Sequence, residues 1–130
     1  MKLFWAIAVG AAAGGVSRFY LSQAVQQRMG SFPWGTLLIN VTGSLLLGFL
    51  MRYALATPAL SVEVRMMLTT GFCGGYTTFS SYSYETAVLI EEGQFGRAAV
   101  YSISSVLVAL IAIFFGFMLA RELITFRERF

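Results

Sequence analysis

Long apolar stretches almost free of charge dominate this chain and limit how it can fold. Four of them cover approximately residues 3–24, 35–52, 66–90 and 97–120. The hydrocarbon layer of a bilayer is about 30 Å thick, so a helix needs about 20 residues to cross it. The lengths predict an all-α membrane protein with four transmembrane helices in a single domain, residues 1–130.

The composition agrees with a chain that is solvated by lipid. Hydrophobic residues make up 58% of the sequence and charged residues 12%, whereas soluble domains carry about 25% charged residues. The net charge is +3, but the basic residues are scattered and form no stripe that would follow a phosphate backbone. We therefore expect membrane lipid as a partner and no nucleic acid.

The sequence offers few residues that could carry out catalysis. The chain has no histidine and one cysteine, Cys73, so neither a histidine-based triad nor a His/Cys metal site can be built. No nucleophile–base pair stands out. We expect that the protein is not an enzyme and that Cys73 is a small buried apolar residue.

The charges at the segment ends do not select one orientation in the membrane. If the tail beyond residue 120 is left aside, one side of the membrane would carry Lys2, Arg52 and Arg65. The other side would carry Arg18, Arg28 and Arg97. Because positive charge in short loops sets orientation, insertion in both orientations remains open.

Polar side chains recur on one face of the second segment. Thr36, Asn40 and Ser44 are spaced by four residues, so they share a helix face. An asparagine at membrane depth must be hydrogen-bonded or wet, and its amide offers two N–H donors to an anion. Hydrogen bonding between helices without transport is the alternative.

The third segment combines glycines with a run of hydroxyl side chains. Gly71, Gly74 and Gly75 precede residues 76–83, which are rich in Ser, Thr and Tyr. Such a sequence disfavours a continuous helix, and we predict a break in mid-membrane, which is tolerated where it lines a watery cavity. Phe79 and Tyr82 share a face beside Ser80, and their positive ring edges could line an anion path. Simple packing is the alternative for these rings.

Each of four other polar residues has two possible roles. Arg18 could attract anions in a vestibule or anchor the helix at the interface, because a charge inside the bilayer must snorkel, pair or face water. Tyr101 and Ser105 share a face and could line a pore or pack. Glu85 could cap a helix or pair with an arginine.

Three motifs together resemble the Fluc (CrcB) family of fluoride channels over nearly the whole chain. In chain order they are Gly10-x3-Gly14-x3-Arg18, Gly35-Thr36-x3-Asn40-x2-Gly43-x4-Gly48, and the run Thr70-Gly71-Phe72-Cys73-Gly74-Gly75-Tyr76-Thr77-Thr78-Phe79-Ser80. The resemblance implies a fluoride-selective ion channel in the cell inner (plasma) membrane. It would export fluoride passively and give fluoride resistance.

The resemblance also implies an assembly and a set of pore residues. The assembly is an antiparallel dual-topology homodimer with two fluoride pores. Asn40 corresponds to the family's pore asparagine and Phe79 to the first of two ring phenylalanines. Tyr82 stands where the second is expected, and Ala109 where relatives commonly have a serine. The polar parts of the path would come from Thr36, Ser80, Ser105 and Tyr101.

A structural sodium ion at the dimer centre is the one cofactor that the resemblance implies. The backbone carbonyls of Gly74 and Thr77 would hold it. A pore of neutral donors then needs no arginine, which would bind an anion too tightly for it to leave.

Two other functions compete with this interpretation. A dual-topology four-helix drug/proton antiporter needs a carboxylate inside the membrane, but the chain has no aspartate and only Glu85 is within reach. A non-conducting structural subunit would leave the polar third segment unexplained.

Overall fold

The structure, a computed structural model, describes residues 1–129, and the regular elements in that range are helices. In chain order they are α1 (Lys2–Met29), α2 (Trp34–Leu55), α3 (Val62–Met66), a π-helix (Met67–Cys73), α4 (Gly74–Tyr76), α5 (Phe79–Glu91) and α6 (Phe95–Glu128).

Three helices within the described residues are long and apolar enough to cross a membrane. They are α1, α2 and α6, with 28, 22 and 34 residues. Helix α6 continues to Glu128, beyond the expected limit of residue 120. At 1.5 Å per residue it is about 51 Å long. The protein is therefore an all-helical membrane protein, as predicted.

The expected third span, residues 66–90, is not a single helix. The π-helix passes into α4, which ends at Tyr76, and Thr77 and Thr78 are extended, with φ/ψ of −81°/158° and −150°/116°. Helix α5 then begins at Phe79, where the Thr78 hydroxyl oxygen accepts a hydrogen bond of 3.1 Å from the Ser81 N–H. The depth of this interruption in a bilayer, and a fourth span made of these pieces, stay predictions.

Glycines bring α1 against the segment before the interruption. Gly10 and Gly14 are buried. A Cβ on Gly10 would collide with the Met67 carbonyl oxygen, and one on Gly14 with the Phe72 carbonyl oxygen. Small residues at this spacing allow the close backbone contact by which helices associate in lipid.

A second pair of glycines brings α2 against α6. A Cβ on Gly48 would meet the Ile113 carbonyl oxygen, and one on Gly116 would meet the Leu45 carbonyl oxygen. These close contacts therefore form two pairs, α1 with residues 67–76 and α2 with α6. The polar face of α2 is left to contact the interruption.

The interior is small, and much apolar surface is open. Tyr101, Ile39 and Cys73 are the largest fully buried side chains, and Cys73 is a free thiol, as expected for a small buried residue. By contrast, Phe4 and Phe114 are more than 60% exposed. Such surface suits contact with lipid.

Candidate functional site

Asn40 lies directly beside the helix interruption. Its Nδ2 donates to the Thr78 carbonyl oxygen at 3.0 Å, and the Thr78 N–H donates to its Oδ1 at 2.8 Å. An asparagine amide has two N–H donors and an oxygen acceptor. One N–H of Asn40 is therefore not used by Thr78.

A cavity of about 260 Å³ opens next to this amide. It brings together four of the predicted pore residues, from α2, α5 and α6. Its lining includes Asn40, Ser44, Thr78, Phe79, Tyr82 and Ser105. Ala109, the departure from the family pattern, also lines it. A mainly apolar cavity with a few convergent polar groups is typical of a binding site for a small ligand.

Ser105 also lines this cavity, and its hydroxyl oxygen is buried in the wall. The residue is only 8% exposed, and its Oγ is buried without a hydrogen-bond partner among residues 1–129. A buried hydroxyl left unsatisfied costs about 1–3 kcal/mol. A bound ligand with a negative charge would remove that cost.

Three aromatic rings form a row from the cavity into the protein. The centroids of Phe79 and Tyr82 are 5.4 Å apart, and those of Tyr82 and Tyr101 are 5.3 Å apart, with the planes tilted by 42° and 49°. Phe79 is 79% exposed, whereas Tyr101 is fully buried. Tilted rings can present their positive edges to an anion.

Glu85 binds two residues that we expected to face the ion. The Thr36 hydroxyl donates to Glu85 Oε1 at 2.7 Å, and the Tyr101 hydroxyl donates to Oε2 at 2.6 Å. In this arrangement the two hydroxyl protons point at the carboxylate, so they are not free to bind an anion. Among residues 1–129, Glu85 neither caps a helix nor pairs with an arginine. The overlooked signal was its position three residues after Tyr82, on the same face of α5.

Two further cavities flank this group of three. One of about 320 Å³ is lined by residues that include Glu85, Gln26 and Arg97. Another of about 470 Å³ is lined by residues that include Thr36, Arg18 and Thr78. The hydrogen bond from Thr36 to Glu85 therefore links the walls of both.

Arg18 faces this largest cavity and also contacts the interruption. Its Nη1 donates to the Thr77 carbonyl oxygen at 3.2 Å. Ser80, by contrast, lines none of the three cavities. It is exposed, and its Oγ lies 3.2 Å from the Thr78 hydroxyl oxygen.

The two residues predicted to hold sodium lie at the interruption. In an unbroken helix the Gly74 carbonyl would accept from the Thr78 N–H, but that N–H donates to Asn40 instead. Gly74 is exposed, and a Cβ there would meet nothing within 4 Å. The Thr77 carbonyl accepts from Arg18 and keeps a second lone pair. Carbonyls freed at a helix break are suitable oxygen ligands for sodium.

An interrupted helix beside cavities with a few convergent polar groups, held by long apolar helices, is typical of membrane transport proteins. Residues 5–117 match the family described as CrcB-like protein, Camphor Resistance (CrcB), and the chain belongs to this family. The resemblance seen in the sequence motifs is confirmed.

Curated relatives cover nearly the whole chain. A protein from Geobacter sulfurreducens is 46% identical over 124 residues, which are 95% of this chain and 100% of the relative. One from Thermus thermophilus is 41% identical over 125 residues, 95% of this chain and 99% of the relative. One from Synechococcus sp. is 40% identical over 122 residues, 93% and 94%. Each of the three relatives bears the name fluoride-specific ion channel FluC, and that name describes an ion channel rather than an enzyme.

Proposed function

We propose that this protein is a fluoride-selective ion channel that lets fluoride leave the cell passively and so gives resistance to fluoride. Full-length relatives with 40–46% identity are named fluoride-specific ion channels. Within the structure, the supporting observation is that Ser105, whose buried hydroxyl has no hydrogen-bond partner among residues 1–129, lines the same cavity as Asn40 and Phe79.

The chemistry of the 260 Å³ cavity suits a small, strongly hydrated anion. The free N–H of Asn40, the Ser105 hydroxyl and the ring edges of Phe79 and Tyr82 replace water around the ion. None of the residues lining this cavity is charged. Neutral donors bind fluoride well enough for entry and weakly enough for exit, which conduction requires.

Thr36 and Tyr101 are connected to the same ion path by their hydrogen bonds to Glu85. Their hydroxyls bind the carboxylate, so they serve an ion only when Glu85 releases them. We therefore include Glu85 in the pathway. Arg18, on the wall of the largest cavity, draws anions toward the entrance.

We further propose that the channel is an antiparallel dual-topology homodimer in the cell inner membrane. The balanced loop charges permit both orientations. The exposed surface beside the interruption includes Phe79, Ser80 and Ser83, and hydroxyls on a membrane segment favour contact with protein over lipid. A second copy that covers this surface would complete two pores.

A sodium ion at the centre of the dimer fits the carbonyls of Gly74 and Thr77. It would supply a fixed positive charge beside the path. The Gly74 surface is open enough for the same residues of a second copy to approach.

Efflux from liposomes tests the function directly. Purified protein should release fluoride down its gradient, measured with a fluoride electrode, while chloride release stays near the background of empty vesicles. The names of the relatives do not favour a drug/proton antiporter, which would instead show release driven by a pH gradient. Absence of fluoride release by properly assembled protein would contradict the proposal.

A further inference from the structure

The backbone N–H of Thr78 depends on one side chain for its hydrogen bond, and the same side chain also binds the Thr78 carbonyl. As the residue that precedes α5, Thr78 can give its carbonyl to the first hydrogen bond of that helix, but its N–H has no helical acceptor and needs another when buried. Thr78 is 7% exposed, and the Asn40 amide binds its N–H at 2.8 Å and its carbonyl at 3.0 Å. Asn40 therefore supplies what water would supply to a soluble loop.

The neighbouring residues of α2 fit the same segment. The Thr42 hydroxyl lies 2.9 Å from the Tyr76 hydroxyl oxygen. At Gly43 the missing side chain leaves room for the Thr77 methyl group, which a Cβ would strike. Asn40, Thr42 and Gly43 thus contact three successive residues, 76–78, and together match the shape of the interruption.

The position of Phe79 follows from this arrangement. Phe79 is the first residue of α5 and directly follows Thr78, so the held backbone determines where its ring lies. The same two hydrogen bonds orient the Asn40 amide, because they use its oxygen and one N–H. The second N–H then has one direction.

We propose that Asn40 is a positioning residue for the helix interruption as well as an ion ligand. By closing a ring of two hydrogen bonds on Thr78, it holds the Phe79 ring and its own free N–H in one arrangement. The consequence for transport rests on the proposed channel function. The consequence for the conformation of Phe79 does not.

A backbone ester at Thr78 tests the proposal without changing any side chain. The chain can be assembled by ligation at Cys73, with the Thr78 N–H replaced by an ester oxygen. This removes the donor to Asn40 Oδ1 and leaves the N–H groups of Asn40 in place. It also makes the Thr77 carbonyl, which accepts from Arg18, a weaker acceptor, so Asn40→Ala serves as a second comparison that keeps this carbonyl unchanged. The matched control is the same ester at Ala87, which is exposed within α5 and lines none of the three cavities.

Two readouts separate positioning from transport. Fluoride efflux should fall roughly tenfold in the Thr78 ester and less than about twofold in the Ala87 ester, with unchanged dimer elution. Fluorine NMR of para-fluorophenylalanine at position 79 should show one sharp resonance in the control and a broadened or split one in the Thr78 ester.

A sharp, unshifted resonance in the Thr78 ester would overturn the proposal, whatever the efflux. If the unmodified protein released no fluoride, the channel function would fail, while the NMR comparison would still decide the positioning role. The fluorine resonance of residue 79 is also compared between Asn40→Ala and its control Ser44→Ala. This comparison tests the positioning role even if the ester chain does not assemble. A sharp resonance in Asn40→Ala would overturn the proposal.

Discussion

Tyr101 on α6 donates its hydroxyl hydrogen to Glu85 on α5 over 2.6 Å. Thr36 on α2 donates to the other carboxylate oxygen, so one carboxylate joins three helices. The donors are 0% and 4% exposed. Loss of the carboxylate would leave both without their partner.

Removal of Glu85 should therefore destabilise the fold more than removal of either donor. Glu85→Ala leaves two buried hydroxyls unsatisfied, at about 1–3 kcal/mol each, whereas Tyr101→Phe leaves the carboxylate still bound by Thr36. Thermal unfolding in detergent should show the larger loss for Glu85→Ala. Equal unfolding temperatures for the two variants would contradict the shared role of the carboxylate.

Substitution of Asn40 should abolish fluoride transport in two different ways. Asn40→Asp can still accept from the Thr78 N–H, but it presents negative charge and no donor to an anion. Asn40→Leu removes every polar contact. Liposome efflux with a fluoride electrode measures both, and size-exclusion chromatography checks assembly. Normal fluoride flux in Asn40→Asp would defeat the assignment of an anion pore.

The ring edge of Phe79 should matter more than the hydroxyl of Tyr82. Phe79→Ile keeps an apolar side chain but removes the positive edge, and fluoride flux should fall by roughly tenfold with the dimer intact. Tyr82→Phe keeps the ring and should conduct near normally. A Phe79→Ile channel as fast as Tyr82→Phe would show that ring edges do not bind the ion.

Gly74→Val should separate dimer assembly from folding of the single chain. A Cβ at Gly74 meets nothing within 4 Å in one copy, so the single chain should fold. Any loss of dimer should then come from a clash with the second copy or from weaker sodium binding. Gly14→Val is the contrasting variant, because its Cβ would strike the Phe72 carbonyl oxygen inside the chain. Size-exclusion chromatography in sodium and in potassium would reveal the effect. A fully stable Gly74→Val dimer with unchanged sodium dependence would argue against the central site.

Dual topology predicts tails on both sides of the membrane. In an Arg129→Cys variant, a membrane-impermeant thiol reagent applied to whole cells should label roughly half of the chains. Permeabilised cells, in which every tail is accessible, provide the reference. Labelling of none or of all tails in intact cells would exclude the antiparallel dimer.

The amino-acid sequence alone was enough to predict a helical membrane protein and to recognise its family. Apolar stretches such as residues 97–120 predict helices by length, since a bilayer leaves no other way to satisfy the backbone. The glycine and hydroxyl run around Gly74 and Thr77 indicated where regular structure would fail. These features are local, so they can be read from neighbouring residues.

The tertiary structure decided which polar groups are free. Thr36 and Tyr101 lie 49 and 16 residues from Glu85, and Asn40 lies 38 residues from Thr78, so no local pattern reveals those bonds. Ser105 has no hydrogen-bond partner for its hydroxyl within the described part of the chain for the same reason, because the packing of α6 places it away from the other polar groups there. Residue types determine which atoms can donate. Helix packing, through close contacts at glycines such as Gly48 and Gly116, determines which of those donors remain available for an ion.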